Sequence, residues 1–99
     1  MARLDVYRPA GASGYLLDCQ ADVLRHLNTR FVVPLLPPEE APRAGERLNP
    51  SFLVAGETVI LVTQFAASVE VRNLGDRVTS LNDQHLAVGN ALDMLINGF

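Results

Sequence analysis

The sequence predicts a mainly β protein that ends in one α-helix, and three observations support this fold class. The segment RLDVYR, residues 3–8, alternates apolar and polar side chains with the period of a half-buried strand. The pair Gly56-Glu57 separates two apolar runs, which indicates a tight β-hairpin. From Leu81 onward, apolar residues recur at the three-, four- and seven-residue spacing of a helix.

The first strands are predicted to form a hairpin. The turn-forming segment 8–14 separates RLDVYR from YLLDCQ, residues 15–20, which is also expected to be a strand. Residues 21–30 are expected to form a loop with one turn. In the next strand, RFVVPL, Pro34 cannot donate a hydrogen bond to a ladder, so this end of the strand is expected at an edge or a bulge.

The middle of the chain is rich in proline and is followed by more strands. Residues 36–49 are expected to be a proline-rich excursion from a single domain that spans residues 1–99. SFLVA and TVILVTQF then predict a hairpin whose second strand is central and buried on both faces. VEVR predicts a further strand, and Gly75-Asp76 is expected to end the sheet.

The C-terminal helix is predicted over residues 81–96. Ser80 is its expected N-cap, and Gly98 is expected to end it in the left-handed conformation. Its apolar residues cover more than one face, and surplus apolar surface on a small domain favours a partner protein. The alternative is that the extra face packs on the proline-rich excursion.

Composition limits the classes of function. The 99 residues carry a net charge of −3, and all eight basic residues are arginines. Because no basic stripe is present, the chain is not expected to bind nucleic acid directly, and DNA would be reached only through another protein. A single cysteine, no signal-peptide pattern and no long apolar run favour a cytoplasmic protein without a disulfide or a membrane span.

No pattern of reactive residues predicts an enzyme, a metal site or a cofactor. Cys19 is expected to be a small buried hydrophobic residue, not a nucleophile. His26 and His85 lack partners at metal-ligand spacing. Asp18 and Asp22 are expected to be solvated surface acids.

Several short motifs, in order, resemble the CcdB family of bacterial toxins. Leu17 to Asp22, LDCQAD, is similar to the family's V-D-V-Q-S-D, and Arg30 to Leu35 is similar to its R-M-V-I-P-L. Val6-Tyr7, the L-x-P turn at 48–50, and a helix that closes on Gly98 and a terminal hydrophobic residue also match. The likeness runs over nearly the whole chain.

This resemblance implies an SH3-like barrel of the CcdB/MazF toxin type and a symmetric homodimer. It further implies a toxin of a type II toxin-antitoxin module, with functions in plasmid maintenance and transcription autoregulation. Such toxins bind the GyrA subunit of DNA gyrase and trap the cleaved-DNA complex without catalysis. A cognate antitoxin with a disordered C-terminal segment neutralises them, and DNA is bound only through the antitoxin complex.

Carried over residue by residue, the resemblance assigns gyrase binding to eight positions. Where the best-known members of the family have Asn, Trp and Ile, this chain has Asp93, Asn97 and Phe99, so weaker or host-specific poisoning is expected. The implied gyrase-binding residues are Tyr7, Val23, Leu24, Asp93, Ile96, Asn97, Gly98 and Phe99.

Two other functions stay open. One is a MazF-like endoribonuclease toxin that cuts single-stranded RNA, in which Arg30 beside Thr29 would take part. The other is a chromosomal relative that has lost toxicity and acts as a binding module.

Overall fold

Seven antiparallel strands form one curled sheet, and a single α-helix follows them. The computed structural model describes residues 2–98. The sheet has the order β4-β5-β3-β2-β1-β7, and β6 pairs with β3 beside this path. This architecture confirms the predicted mainly β class with a C-terminal helix. The elements are β1 Asp5–Arg8, β2 Tyr15–Asp18, β3 Thr29–Leu36, β4 Ser51–Val54, β5 Glu57–Leu61, β6 Ala67–Glu70, β7 Asp76–Ser80 and α1 His85–Asn97.

Both predicted hairpins are present. β1 pairs with β2, with Val6 opposite Leu17. β4 pairs with β5 across the two-residue loop Ala55-Gly56, whose φ angles are 52° and 79°. Two positive φ angles match the backbone twist of the flanking strands, which is why such loops favour glycine.

Strand β3 is not an edge strand, so the expectation for Pro34 needs correction. Residues Thr29–Val32 of β3 pair with β6, and its last two residues pair with β5. Pro34 lies between these two stretches, where a missing N–H interrupts no ladder. Its carbonyl still accepts a hydrogen bond from the Val62 N–H at 2.9 Å.

The sheet does not end at Gly75-Asp76, and that prediction was wrong. The chain turns at Gly75, where φ is 81° and a Cβ atom would collide with the carbonyl oxygen of Arg8. This close approach brings β7 beside β1, with Arg8 opposite Asp76. Strand β7 carries no continuous apolar run, because its first three residues are exposed, and this explains why its sequence gives a weak signal.

The main core lies between one face of the sheet and α1. Val88 and Ala91 of α1 are fully buried against it. The helix was expected from residue 81, but residues 82–84 form a 3-10 turn, and Ser80 Oγ accepts the Asn82 N–H at 3.1 Å. Ser80 therefore bonds the first N–H of this turn and is not the N-cap of the helix, which is Gln84. Within residues 2–98, no helix is long and apolar enough to cross a membrane.

The opposite face of the sheet holds a smaller core and a buried ion pair. Tyr7, Val32 and Leu74 pack together there. Beside them Arg30 Nε donates to Asp18 Oδ2 at 2.8 Å, Arg30 Nη2 lies 2.7 Å from the same oxygen, and both side chains are fully buried. Asp18 is therefore not the solvated acid that the sequence suggested.

Removing one member of the ion pair should destabilise the fold more than removing both members together. Arg30→Leu leaves the Asp18 carboxylate buried without a cation, and breaking such pairs costs about 3–5 kcal/mol. The double variant Asp18→Leu/Arg30→Leu should recover a large part of that loss. Urea unfolding of the wild type, Arg30→Leu, Asp18→Leu and the double variant measures the coupling, and a loss in the double variant equal to the sum of the two single losses would contradict it.

Burial raises the pKa of the Cys19 thiol to about 12, because the thiolate cannot be solvated there. The folded state thus favours the protonated thiol, and the stability it contributes is lost as pH rises from 9 towards 12. Above pH 9 the free energy of unfolding of the wild type should fall by up to about 1.4 kcal/mol for each pH unit through this thiol, and Cys19→Ala should abolish that contribution. The free energies of unfolding of both proteins are measured at pH 7, 9 and 10. The same pH dependence in the two proteins would contradict the prediction.

Candidate protein-binding surface

One side of α1 does not pack against the core near the C-terminal end of the helix. Asp93, Ile96 and Asn97 lie at i, i+3 and i+4, which places them on one face of a helix. That face is opposite the buried Val88 and Ala91, and Ile96 is 71% exposed. The proline-rich excursion therefore does not cover it, and an isoleucine this exposed is available to a partner.

The end of the helix has a defined geometry. Gly98 has φ of 83°, and its N–H donates to the Met94 carbonyl at 3.1 Å. This is the predicted left-handed C-terminal residue, which glycine adopts without a Cβ penalty. Phe99, the last residue assigned to gyrase binding, lies outside the described residues.

Asp93 is poorly placed for helix stability. It lies in the second-last turn of α1, near the negative end of the helix dipole. Among residues 2–98, no cation pairs with it. An exposed acid that opposes the dipole is more readily explained by contact with a partner than by the stability of the fold.

A second exposed group lies on the 3-10 turn Asp22–Leu24, between β2 and β3. Val23 is 80% exposed and Leu24 is 41% exposed. Gln20 holds this turn, because its Nε2 donates to the Leu24 and Thr29 carbonyls and its Oε1 accepts the Phe31 N–H. The turn is thus anchored from within the sheet.

The N-terminal residues fix the same turn from the other side. The Arg3 N–H donates to Asp22 Oδ1 at 2.7 Å, so Asp22 has a structural contact although it is exposed. Leu4 has φ of 72° yet is buried, an arrangement that costs a non-glycine residue roughly 1–2 kcal/mol. The Leu4 N–H donates to the Asp18 carbonyl, and the Leu4 carbonyl accepts from the Leu81 N–H. These two bonds hold the N-terminal segment in place.

Tyr7 differs from the other assigned residues because it is buried. Its side chain packs with Val32 and Leu74 and is 5% exposed. Burial raises the pKa of the Tyr7 phenol, and the carboxylates of Asp5 and Asp18 raise it further. The phenol is thus neutral and covered by the chain's own residues.

Other exposed apolar residues lie near α1, of which the sequence named Met94 and Leu95 as part of the wide apolar stripe but did not name Phe65. Phe65 is 52% exposed on the 3-10 turn Thr63–Phe65, which packs against α1. Met94 and Leu95 of α1 are 39% and 41% exposed. The only sequence signal was the width of the apolar stripe, which does not say which of its members the sheet leaves uncovered.

The side chains considered for catalysis are not arranged for it. Cys19 is buried, as predicted, and its raised pKa keeps the thiol protonated. Arg30 is fully buried against Asp18 and does not reach the surface. No group of three or more potential metal ligands occurs in residues 2–98.

Solved structures similar to this chain are toxins and ribonucleases. An endoribonuclease from a mycobacterial species has a TM-score of 0.76 at 18% identity, covering 95% of this chain and 88% of that one. Another, in complex with its cognate antitoxin, has a TM-score of 0.74 at 16% identity, covering 95% and 92%. The Mycobacterium tuberculosis toxin MazF-mt6 has a TM-score of 0.73 at 17% identity, covering 92% and 93%.

At these identities the structural likeness shows a shared fold. No curated protein matches this sequence. The family model described as CcdB protein matches residues 3–98, which is nearly the whole chain. The chain therefore belongs to the CcdB family.

Proposed function

We propose that this protein is the toxin of a type II toxin-antitoxin module and that it binds the GyrA subunit of DNA gyrase, trapping the cleaved-DNA complex. Family membership and the toxin fold support the toxin role. The observation that carries the gyrase proposal is the free face at the end of α1, formed by Asp93, Ile96 and Asn97. A rigid helix presents these residues without loss of core contacts.

The turn of Val23 and Leu24 forms the second part of the proposed gyrase-binding surface. Its hydrogen bonds to Gln20 and to the N-terminal segment hold it before any partner arrives. A preformed contact loses less conformational entropy on binding. Tyr7 is buried, so in this proposal it supports the sheet below the surface.

The proposed toxin is a homodimer. Phe65, Met94 and Leu95 leave apolar area exposed beside the gyrase-binding end of α1. A second subunit that covers this area would place two helix ends side by side, as a two-fold symmetric target requires. The proposed neutralising partner is an antitoxin whose C-terminal segment orders on the toxin.

An endoribonuclease is the second candidate, and the observation that favours it is the fold shared with two mycobacterial endoribonucleases. The residue suggested by the sequence, Arg30, is fully buried in an ion pair. It could contact a phosphodiester only if the Asp18–Arg30 pair opened. A ribonuclease of this fold would therefore need another cation, which makes gyrase binding the better supported proposal.

The gyrase proposal is tested with Ile96→Lys. Purified gyrase incubated with ATP, DNA and the wild-type protein should accumulate cleaved DNA, and the variant should lose at least tenfold in potency because a cation replaces an apolar contact. Leu86→Lys is the matched control, since Leu86 is equally exposed at the other end of α1.

No cleavage by the wild-type protein at micromolar concentration would overturn gyrase poisoning. Cleavage of single-stranded RNA in a parallel assay would support the endoribonuclease. A protein inactive in both assays, and harmless when expressed without an antitoxin, would be the non-toxic relative.

Asn97→Trp should strengthen gyrase poisoning. Asn97 is exposed on the free face of α1, and a buried indole anchor at a protein interface is commonly worth about 2 kcal/mol or more. We expect at least a tenfold lower concentration for half-maximal DNA cleavage. Asn90→Trp is the control, because it adds the same side chain at an exposed position two turns earlier; equal gains in both variants would contradict a specific contact.

A further inference from the structure

The curled sheet does not close on itself. Its two end strands, β4 and β7, are not paired with each other in the described chain, and both line one cleft of about 380 Å³. One side of this cleft is formed by residues 51–53 of β4 and Ala55 of the hairpin loop, and the opposite wall comes from residues 79–81, Asp83 and Gln84. The sheet thus has an open seam at which one strand could be added.

The register of the hairpin shows which backbone groups of β4 face the seam. The Leu61 N–H of β5 donates to the Pro50 carbonyl at 2.9 Å. Hydrogen-bonded and non-bonded pairs alternate along an antiparallel ladder, so Ser51 and Leu53 direct their N–H and C=O groups away from β5. These two residues present an unpaired strand edge to the cleft.

The other edges of the sheet carry the usual protection against strand pairing, and β4 does not. Strand β7 has Asp76 and Arg77 and a register shift in its pairing with β1. Strand β6 ends at Glu70, which is paired with Arg72 at 2.7 Å. Strand β4 has no charge and no bulge, and its Leu53 is 70% exposed. Exposed, uncharged edges of this kind are templates for another strand.

We propose that β4 is a strand-addition site for an extended peptide segment of a partner protein. The segment pairs antiparallel or parallel with Ser51 and Leu53 and has an apolar residue at every second position, so that it covers the Leu53 side chain. Asp83 is the only charged residue that lines the cleft. The bound segment is therefore neutral or basic at the residue that faces it.

The volume of the cleft fits a single short strand. The spacings within and between β-sheets give about 160 Å³ for each residue of a strand, so the cleft holds roughly two to three residues. A second copy of this chain would bring β4 together with its hairpin partner β5. Residues of that wall bound the cleft on the side opposite β4, so we take one strand, and not a hairpin, as the occupant.

Hydrogen exchange followed by NMR on the full chain tests this proposal. The probe is an acetylated and amidated peptide of alternating threonine and valine with arginine at both ends. We expect the peptide to slow amide exchange at Ser51 and Leu53 at least tenfold, and to leave Arg77 on the β7 edge unchanged. The same peptide with an N-methyl group on every residue should give no protection, because the methyl groups remove its donors and hold its carbonyls away from the β4 amides on both edges.

Two variants separate strand pairing from general apolar binding. Leu53→Pro removes the outward N–H without breaking a bond to β5, and Leu53→Lys adds the charge that protected edges carry. Each should weaken peptide binding at least tenfold, whereas Leu86→Lys, on an equally exposed apolar residue of α1, should not.

Other outcomes would overturn the proposal. One is no protection at millimolar peptide; another is equal binding of the N-methylated peptide. A third is a dimer in the absence of peptide that Leu53→Pro dissociates, because a second copy would then occupy the edge.

Discussion

The buried Asp18–Arg30 pair, together with Gln20, is the arrangement on which the rest of the structure depends. Asp18 binds the Arg30 guanidinium with one oxygen and accepts the Gln20 N–H with the other. Gln20 in turn bonds three backbone groups of the following loop and strand. Strands β2 and β3 and the turn between them are thus joined by side chains as well as by the ladder.

This network gives a physical meaning to the LDCQAD segment. Leu17 and Cys19 point into the main core, while Asp18 and Gln20 form the polar network on the other face. Asp22, two residues later, receives the Arg3 N–H. Leu17 and Cys19 therefore fill the core, and Asp18, Gln20 and Asp22 fix the turn that carries Val23 and Leu24. The charges remain buried because opening the network would leave both of them unpaired.

The sequence predicted those parts of the fold that depend on local patterns. Alternation located β1, β2 and, through VEVR, the second half of β6. The pair Gly56-Glu57 predicted the hairpin of β4 and β5, whose loop is Ala55-Gly56. Strand β7 could not be found this way, because its first three residues are exposed and Gly75 positions it only through the close approach to Arg8.

The sequence also did not predict the long-range contacts of the candidate site. Helical spacing predicted α1 and its wide apolar stripe, and the resemblance to the family assigned Asp93, Ile96 and Asn97, whereas the partner of Asp18 lies 12 residues away on the neighbouring strand, where no local rule connects the two. Tyr7 shows the same limit: its alternating position was consistent with either face of the sheet. Only the packing of Leu74, from the segment before β7, decides that it is covered.

The two ends of α1 show why stability and binding are separated in this small domain. The helix contributes Val88 and Ala91 to the core, so the exposed side of its C-terminal half is free to carry residues that do not favour folding, such as Asp93. Leu4, whose backbone is strained, belongs to the same core and is held by bonds to β2 and to Leu81, just before α1. These bonds join the N-terminal turn to the segment just before the helix. The strained residue therefore lies in the core and not on the exposed surface. Changes at Ile96 or Asn97 should therefore leave the fold unchanged, which is what the proposed binding role of this face requires.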